Sequence, residues 1–353
     1  MGIKKISKLI NDIIKDNIAK NVKFANPIIE KNIKDYRGKW IVFDANLVLY
    51  KIIIAIRGSN NGDILNDRGK SISHLHALFF KVINLINNEI KPIFVFDGEP
   101  PKLKEEILED RKKAKEKAYK LLEELDDENS EEKKKLIKRT FTLKRSQVEE
   151  CMMLLNLMGI PHIQAIKEAD PQCVGFTLSQ KYNIYGVASE DNDLLVFGSK
   201  YLLKDFSNTK KIREYNLHNI IKLLKLKNHS QYVDLCILLG SDYCKQTIKG
   251  LSAEKILELL IKYKDMEGVI KYASNNSKYV IPEGYLNRVK EARNEFINPI
   301  IYNIEEIDIK IRKPDTRKLL QFMLTENGFV ERNQLNININ KLRDKYKASI
   351  QKL

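Results

Sequence analysis

Three short apolar runs, separated by stretches with helical periodicity, constrain the fold of this chain more than any other feature. The runs are residues 40–43, 93–96 and 184–188. Residues 3–15, 71–88 and 168–180 have the apolar spacing of amphipathic helices. Alternating strands and helices are typical of a parallel sheet covered by helices, so the sequence predicts an α/β fold.

Two other regions differ from this pattern. Residues 104–150 contain no Gly or Pro and run from basic to acidic and back to basic. A solvated helical hairpin is the plain interpretation of such a segment. Gly159 and Pro161 predict that a helix ends at about Met158, and beyond residue 215 the pattern is almost all helical.

The charge balance indicates the kind of partner. The chain has 62 Lys and Arg against 47 Asp and Glu, which gives a formal net charge of +15. An excess of this size favours a polyanionic partner, with nucleic acid first, although a solvated Lys-rich surface is the alternative.

Several classes of protein are excluded by simple patterns. No apolar run reaches the ~18–20 residues of a membrane span, and the first residues lack the apolar core of a signal peptide. The four Cys form no CxxC pair, which predicts reduced thiols in an intracellular protein. The chain has no GxGxxG or GxxxxGK[ST] motif, so a dinucleotide or P-loop site is not expected.

Acidic residues follow all three apolar runs. Asp44 and Asp97 end the first two, and Asp191 and Asp193 follow the third. One such Asp is commonly a helix cap, but the ends of parallel strands meet at one edge of a sheet. Carboxylates ~5 Å apart repel by about 3 kcal/mol at an effective dielectric constant of ~20, so cations are needed among them. Mg²⁺ and Mn²⁺ prefer oxygen ligands, and pairs of such metals hydrolyse phosphodiesters. The pattern favours a metal-dependent nuclease or phosphatase, and the basic charge favours the nuclease.

Longer motifs give the chain a family resemblance. It resembles the structure-specific 5′ nucleases (the XPG-like family), and within them the flap endonucleases, from Met1 to about residue 345. The motifs are Met-Gly-Ile at 1–3, Val-Phe-Asp-Ala at 42–45, Val-Phe-Asp-Gly-Glu-Pro-Pro-Lys-Leu-Lys at 95–104, Leu-Asn-Leu-Met-Gly-Ile-Pro at 155–161, Glu-Ala-Asp at 168–170, Ser-Glu-Asp-Asn-Asp at 189–193, and Leu-Leu-Gly-Ser-Asp-Tyr-Cys at 238–244. The resemblance implies a PIN-like parallel or mixed sheet flanked by helices, a helical arch and a C-terminal helix–hairpin–helix region.

The resemblance also implies a full set of metal ligands. Two Mg²⁺ ions, replaceable by Mn²⁺, would be held by seven carboxylates: Asp44, Asp97, Glu168, Asp170, Asp191, Asp193 and Asp242. Residues two apart do not share a helix face, so Glu168 and Asp170 are expected at a helix start. Relatives usually carry Glu where this chain has Asp170, and the shorter side chain predicts a small shift of the second metal.

Cationic and aromatic residues complete the implied site. Lys104 and Arg111 are seven residues apart, which predicts that both project from one face of a helix, and the family uses such a pair to hold the scissile phosphate. Residues 104–150 resemble the arch that receives the 5′ single strand. The implied DNA contacts are Gly2, Tyr50, which would stack on an unpaired nucleotide, Arg57, Lys81, Lys138, Arg139, Lys144, Gly240, Lys249 and Lys255.

Two departures from the family pattern lie in the C-terminal third. Relatives have a Gly-x-Gly turn that grips a duplex phosphate and often binds K⁺, whereas this chain has Ser252 two residues after Gly250. The change predicts that K⁺ contributes little here. Residues 334–341 lack the aromatic pair of a sliding-clamp motif, so a clamp bound through such a motif is not expected.

The sequence thus predicts one catalytic unit in four segments, namely a nuclease region at 1–103, the arch at 104–150, a second nuclease region at 151–240 and the helical region at 241–353. The expected activity is metal-dependent 5′-flap cleavage with 5′–3′ exonuclease activity on branched or flapped DNA, in replication, repair or recombination. The expected protein is a monomer that acts in the nucleus or another intracellular site of DNA replication and is not secreted. A 5′ nuclease for duplex ends or junctions is one alternative, and a non-catalytic DNA-binding scaffold is the other.

Overall fold

Backbone contacts divide the chain into two compact units. The computed structural model describes residues 3–59, 62–124, 131–207 and 209–350. The first unit comprises Met1–Asp35, Glu99–Ile107 and Ile166–Ile304, and the second comprises Tyr36–Gly98, Leu108–Ala165 and Glu305–Leu353. Each unit is therefore assembled from segments that are distant in sequence.

The second unit contains a parallel arrangement of strands. Strand β2 (Trp40–Asp44) pairs in parallel with β3 (Lys91–Phe96), and β3 pairs in parallel with β4 (His162–Gln164). Every residue of β3 after Lys91 is buried, which is the pattern of a strand covered on both faces.

The first unit contains a mixed arrangement. Strand β1 (Ile28–Lys31) is antiparallel to β7 (Ile212–Asn216), which is antiparallel to β6 (Tyr201–Lys204). Strand β6 is parallel to β5 (Ile184–Ala188). Glu214 of β7 is buried, and the hydrogen bonds that it accepts from Lys31 Nζ and Tyr185 Oη at 2.8 and 2.7 Å offset the loss of solvation.

Helices pack on the strands in both units. Helices α2 and α3 contact β2 and β3, whereas α7, α8 and α9 contact β5, β6 and β7. In chain order the helices are α1 (Lys4–Ala19), α2 (Ala45–Ser59), α3 (Ser73–Asn87), α4 (Glu105–Glu123), α5 (Glu131–Thr140), α6 (Arg145–Leu157), α7 (Ala169–Leu178), α8 (Asp193–Val196), α9 (Leu217–Leu223), α10 (His229–Leu238), α11 (Ala253–Tyr263), α12 (Met266–Ser274), α13 (Tyr285–Ile297), α14 (Thr316–Leu320) and α15 (Arg332–Ile350).

The α/β class predicted from the sequence is confirmed. The three apolar runs are β2, β3 and β5, and the helix predicted to end near Met158 is α6. The antiparallel strands β1 and β7 were not predicted, because each is short and carries charged residues. No helix of the described ranges has both the length and the apolar character needed to cross a membrane.

The charged segment 104–150 is helical, but it does not form a single element. Helices α4 and α5 cover most of it, and its last residues begin α6, which packs against α3. The Tyr119 hydroxyl of α4 donates a 2.8 Å hydrogen bond to the carbonyl oxygen of Thr140, the last residue of α5. Ala118 and Leu136 are buried, so this segment is more than a solvated hairpin.

Candidate active site

Five of the seven predicted carboxylates gather in the first unit. We call Glu168, Asp170, Asp191, Asp193 and Asp242 the acid cluster. Glu168 occupies the N-cap position of α7 and Asp170 lies in its first turn, which is where their spacing placed them. Asp191 follows β5, Asp193 begins α8, and Asp242 follows α10. The members are close enough to interact electrostatically, since the charges of Asp191, Asp242 and Glu168 each raise the pKa of Asp193.

Asp193 is the most deeply buried member of the acid cluster. Its exposed fraction is 1%, and its Oδ1 atom has no hydrogen-bond partner among the described residues. Burial, followed by repulsion from Asp191, raises the pKa of Asp193 well above its usual value. A buried carboxylate oxygen without a donor, surrounded by further carboxylates, is suited to a hard divalent cation. The residue types present therefore fit the implied metal by their chemistry.

Lys104 partly compensates this negative charge. Lys104 is 6% exposed, and its Nζ atom lies 2.5 Å from Glu168 Oε1 and 4.5 Å from the centre of the Tyr243 ring. Burial lowers the pKa of Lys104, but attraction by Glu168, Asp170 and Asp193 outweighs it, so the net shift is upward. Tyr243, which the sequence analysis did not assign, donates a short hydrogen bond from its hydroxyl to Glu168 Oε2.

One carboxylate of the acid cluster, Glu168, is paired with the Lys104 ammonium group. Within the ranges that the structure describes, no group of three or more His, Cys, Asp or Glu side chains is arranged so that it could hold a metal ion as it stands. Glu168 instead contacts Lys104 and Tyr243. The assignment of individual metal ligands therefore stays a prediction.

Lys104 lies in the turn that leads directly into the helix carrying Arg111. Lys104 lies in a 3₁₀ turn, Lys102–Lys104, whose last N–H bonds to the Pro101 carbonyl oxygen. Helix α4 begins after this turn, and Arg111 is an exposed residue within it. The two prolines at 100 and 101 favour extended backbone before this turn. That Lys104 and Arg111 project from one helix face stays a prediction.

The other two carboxylates lie at the carboxyl ends of neighbouring strands in the second unit. Asp44 ends β2 and is paired in register with Val95, while Asp97 directly follows β3. Asp44 Oδ1 accepts the Leu47 N–H at 3.0 Å, so it also caps α2, as the simpler interpretation of a strand-end Asp predicts. Asn46 Oδ1 accepts the Asp97 N–H at 3.4 Å, which ties the two strand ends together.

Comparison with known proteins identifies the family. Residues 1–118 match the XPG N-terminal domain, and residues 159–242 match the XPG I-region. Flap endonuclease 1 of Bos taurus is 37% identical over 337 residues, which cover 94% of this chain and 84% of that protein. Flap endonuclease 1 of Homo sapiens is 36% identical over 337 residues, which cover 94% of this chain and 84% of that protein.

The chain belongs to the flap endonuclease family.

Solved structures agree with this assignment. Flap endonuclease-1 from Methanococcus jannaschii aligns with a TM-score of 0.69 at 26% identity and covers 92% of this chain and 97% of its own. The catalytic core of Rad2 in complex with DNA substrate shares the fold, with a TM-score of 0.67 at 21% identity, over 90% of this chain and 96% of that one. The predicted function is confirmed: the chain is a structure-specific 5′-flap endonuclease, a hydrolase of a metal-dependent family.

Residues predicted to contact DNA through α2 and α3 have defined neighbours. Tyr50 is half-buried, and its ring centre lies 5.6 Å from that of Phe141. Arg57 forms a two-pronged ion pair with Asp63, at 2.6 and 2.7 Å. Lys81 Nζ lies 5.6 Å from the centre of the Phe43 ring. Each of these side chains is thus held by protein contacts.

The remaining predicted DNA contacts are spread over the arch and the C-terminal helical region. Arg139 is exposed, and Lys144 occupies the N-cap position of α6. Gly240 has a φ of +97°, a conformation that favours glycine. Gly2 and the side chain of Lys138 lie outside the described part of the chain.

The altered turn has a structural role that the sequence comparison missed. Gly250 has a φ of +85°, and an added Cβ would come within 2.9 Å of the Lys278 carbonyl oxygen, so glycine is required there. Ser252 is the N-cap of α11, and its Oγ accepts the Lys255 N–H at 3.2 Å. Lys249 is exposed, and Lys255 forms an ion pair with Glu258 at 2.7 Å. Ser252 is therefore a cap and not merely a missing glycine.

Because Ser252 is an N-cap, two substitutions at this position are expected to lower stability by different amounts. We expect Ser252→Ala to lower the free energy of unfolding by about 1 kcal/mol, and Ser252→Gly by only a few tenths, because glycine is tolerated at an N-cap. Urea denaturation of the two variants measures the difference. Flap binding of the unaltered protein should change little when K⁺ replaces Na⁺. Equal costs for both substitutions, or a strong K⁺ requirement, would contradict this interpretation of the turn.

Proposed function

We propose that two divalent cations, Mg²⁺ in the cell with Mn²⁺ as a substitute, support flap cleavage and a 5′–3′ exonuclease activity on nicked or gapped duplex. The acid cluster would hold the cations, with Asp44 and Asp97 as further ligands. The observation that carries this proposal is the buried Asp193 Oδ1, which has no hydrogen-bond partner within the part of the chain that the structure describes. Cations supply positive charge that stabilises the phosphorane-like transition state and lowers the pKa of water.

The protein's own residues position the reacting groups. A water oxygen attacks phosphorus in line, and the bond from phosphorus to the 3′ oxygen breaks, which leaves a 5′-phosphate and a 3′-hydroxyl. The water gives up one proton and the leaving oxygen gains one. Lys104, whose Nζ atom lies against Glu168 Oε1, is proposed to contact the scissile phosphate. Burial of Asp193 and Asp191 keeps bulk water from these carboxylates.

Arg111 is proposed to contact the scissile phosphate. Its position in α4 is exposed. We expect Arg111→Ala to lower the single-turnover cleavage rate at saturating enzyme by roughly 10²–10³-fold, the effect of removing a positioned charge donor. Lys112→Ala, an exposed neighbour in the same helix, is the matched control. A weaker Kd with an unchanged single-turnover rate would instead make Arg111 part of a general basic surface.

The partner of this chain is proposed to be branched or flapped DNA. The net charge of +15 favours a polyanion, and Tyr50, Arg57, Lys81, Lys138, Arg139, Gly240, Lys249 and Lys255 are the proposed contacts. We place the protein inside the cell, as a monomer at sites of DNA replication, repair or recombination, without a sliding clamp held through a C-terminal aromatic motif.

A panel of DNA structures tests the proposal. End-labelled 5′-flap, nicked, blunt-duplex and four-way-junction DNA are incubated with the protein in Mg²⁺ and, separately, in EDTA. We expect incision near the base of the flap and slower nucleotide removal at the nick, both only in Mg²⁺. Faster cleavage of the junction or blunt duplex would favour a different 5′ nuclease specificity. Binding of all four structures without cleavage would indicate a scaffold.

A further inference from the structure

Phe141 is a buried aromatic residue in an otherwise highly charged segment. It directly follows α5, and its side chain is 7% exposed. Residues 104–150 contain two aromatic residues, Tyr119 and Phe141. Both take part in one contact region, since Tyr119 donates its hydroxyl hydrogen bond to the residue before Phe141. The end of α5 is therefore held from two sides.

The Phe141 ring lies between two side chains of α2. Its centre is 5.6 Å from the Tyr50 ring centre, with the planes inclined by 40°. On α2, two helical turns further along, the guanidinium carbon of Arg57 lies 4.6 Å from the Phe141 ring centre. Aromatic pairs at such distances attract, and a guanidinium near an aromatic ring gains a cation–π interaction.

Arg57 is oriented from its other side by an acid. Asp63 accepts two hydrogen bonds from Arg57, and Ser73 of α3 donates its hydroxyl to Asp63 Oδ1 at 3.3 Å. Asp63 therefore fixes one edge of the Arg57 guanidinium, and the Phe141 ring lies against the same guanidinium. Loss of the ring would remove one of the two contacts that the described residues give the Arg57 guanidinium, and the ion pair with Asp63 would remain.

We infer that Phe141 is a positioning residue for flap cleavage: it docks the end of α5 on α2 and holds Tyr50 and Arg57 in the orientation in which they meet DNA. The inference rests on the proposed DNA contacts of Tyr50 and Arg57. Phe141 acts through these two side chains and through the position of α5. Its loss should therefore slow the chemistry of a bound flap more than it weakens binding.

Three substitutions separate the ring contacts from simple burial. We expect Phe141→Ala to lower the single-turnover rate on a 5′-flap at saturating enzyme by about tenfold or more, since small misplacements of positioning groups are costly. Phe141→Tyr keeps the ring and should restore most of the rate. Phe141→Leu keeps apolar volume and should recover the unfolding midpoint but not the rate. Full recovery by Leu would overturn the inference, because packing alone would then suffice.

A matched control and a double-mutant background complete the test. Phe206→Ala removes a similarly buried aromatic, 8% exposed, from the first unit and should leave the cleavage rate near that of the unaltered protein. In a Tyr50→Ala/Arg57→Ala background, Phe141→Ala should cost less than threefold further. An undiminished cost there would overturn the inference while leaving flap cleavage itself established. No effect of Tyr50→Ala/Arg57→Ala alone would instead reject the proposed DNA contacts.

Discussion

Asp193→Asn is expected to abolish flap cleavage, to preserve flap binding and to stabilise the metal-free protein. The carboxylate is buried, and repulsion by Asp191, Asp242 and Glu168 outweighs attraction by Lys104. One of its oxygens has no hydrogen-bond partner among the described residues. Replacing it with a neutral side chain of the same shape removes this repulsion, which we expect to raise the free energy of unfolding by about 1–2 kcal/mol in EDTA. Cleavage should fall by at least about 10³-fold, because a group central to cation binding is lost.

Urea denaturation in EDTA and single-turnover cleavage in Mg²⁺ measure the two effects on the same variant. Asp12→Asn, an exposed residue of α1, makes the same change of charge and should alter neither. More than a tenth of the normal cleavage rate in Asp193→Asn would remove this residue from the metal site. A loss of stability would show that its charge is better compensated than the geometry indicates.

Lys104→Met is expected to have the opposite effect on stability. The ammonium group is buried against Glu168 and attracts Asp170 and Asp193, so removing it leaves these carboxylates less compensated. Breaking a buried ion pair costs up to ~3–5 kcal/mol, and about 2–3 kcal/mol is expected here because Glu168 keeps some exposure. The cleavage rate at saturating enzyme should fall by roughly 10²-fold if Lys104 also contacts the phosphate.

The stability cost of Lys104→Met should shrink in saturating Mg²⁺, since cations in the acid cluster supply the missing charge. Lys102→Met, an exposed residue of the same 3₁₀ turn, is the control. An equal cost with and without Mg²⁺ would mean that Lys104 stabilises the fold independently of the cluster.

The strand-end acids were predictable because the physics that places them is local. Apolar runs of four or five residues form the buried strands, and the residue at the end of each run reaches the sheet edge. Asp44 and Asp97 follow this rule, as do Asp191 and Asp193. Glu168 and Asp170 have no such signal, since an irregular stretch precedes them, and only the family resemblance singled them out.

The sequence could not reveal the compensating contacts. These contacts join residues that are far apart in the chain. Lys104 and Tyr243 both contact Glu168, and Phe141 contacts Tyr50 and Arg57. Helical spacing predicted Lys104 and Arg111 on one helix, and the structure adds that Lys104 lies in a 3₁₀ turn directly before α4. The sequence comparison treated Ser252 as the loss of a family glycine. A Ser directly before a helical pattern is, however, a recognisable N-cap signal, and Ser252 caps the Lys255 N–H.

Mn²⁺ binding tests most directly the proposal that the acid cluster is a divalent-metal centre. Electron paramagnetic resonance of free Mn²⁺ during a titration counts bound ions without depending on cleavage. We predict about two ions per chain for the unaltered protein and for Asp12→Asn, as expected of two-metal phosphodiester hydrolysis, with at least one lost in Asp193→Asn. The same number and affinity of bound ions in Asp193→Asn as in the unaltered protein would contradict the account.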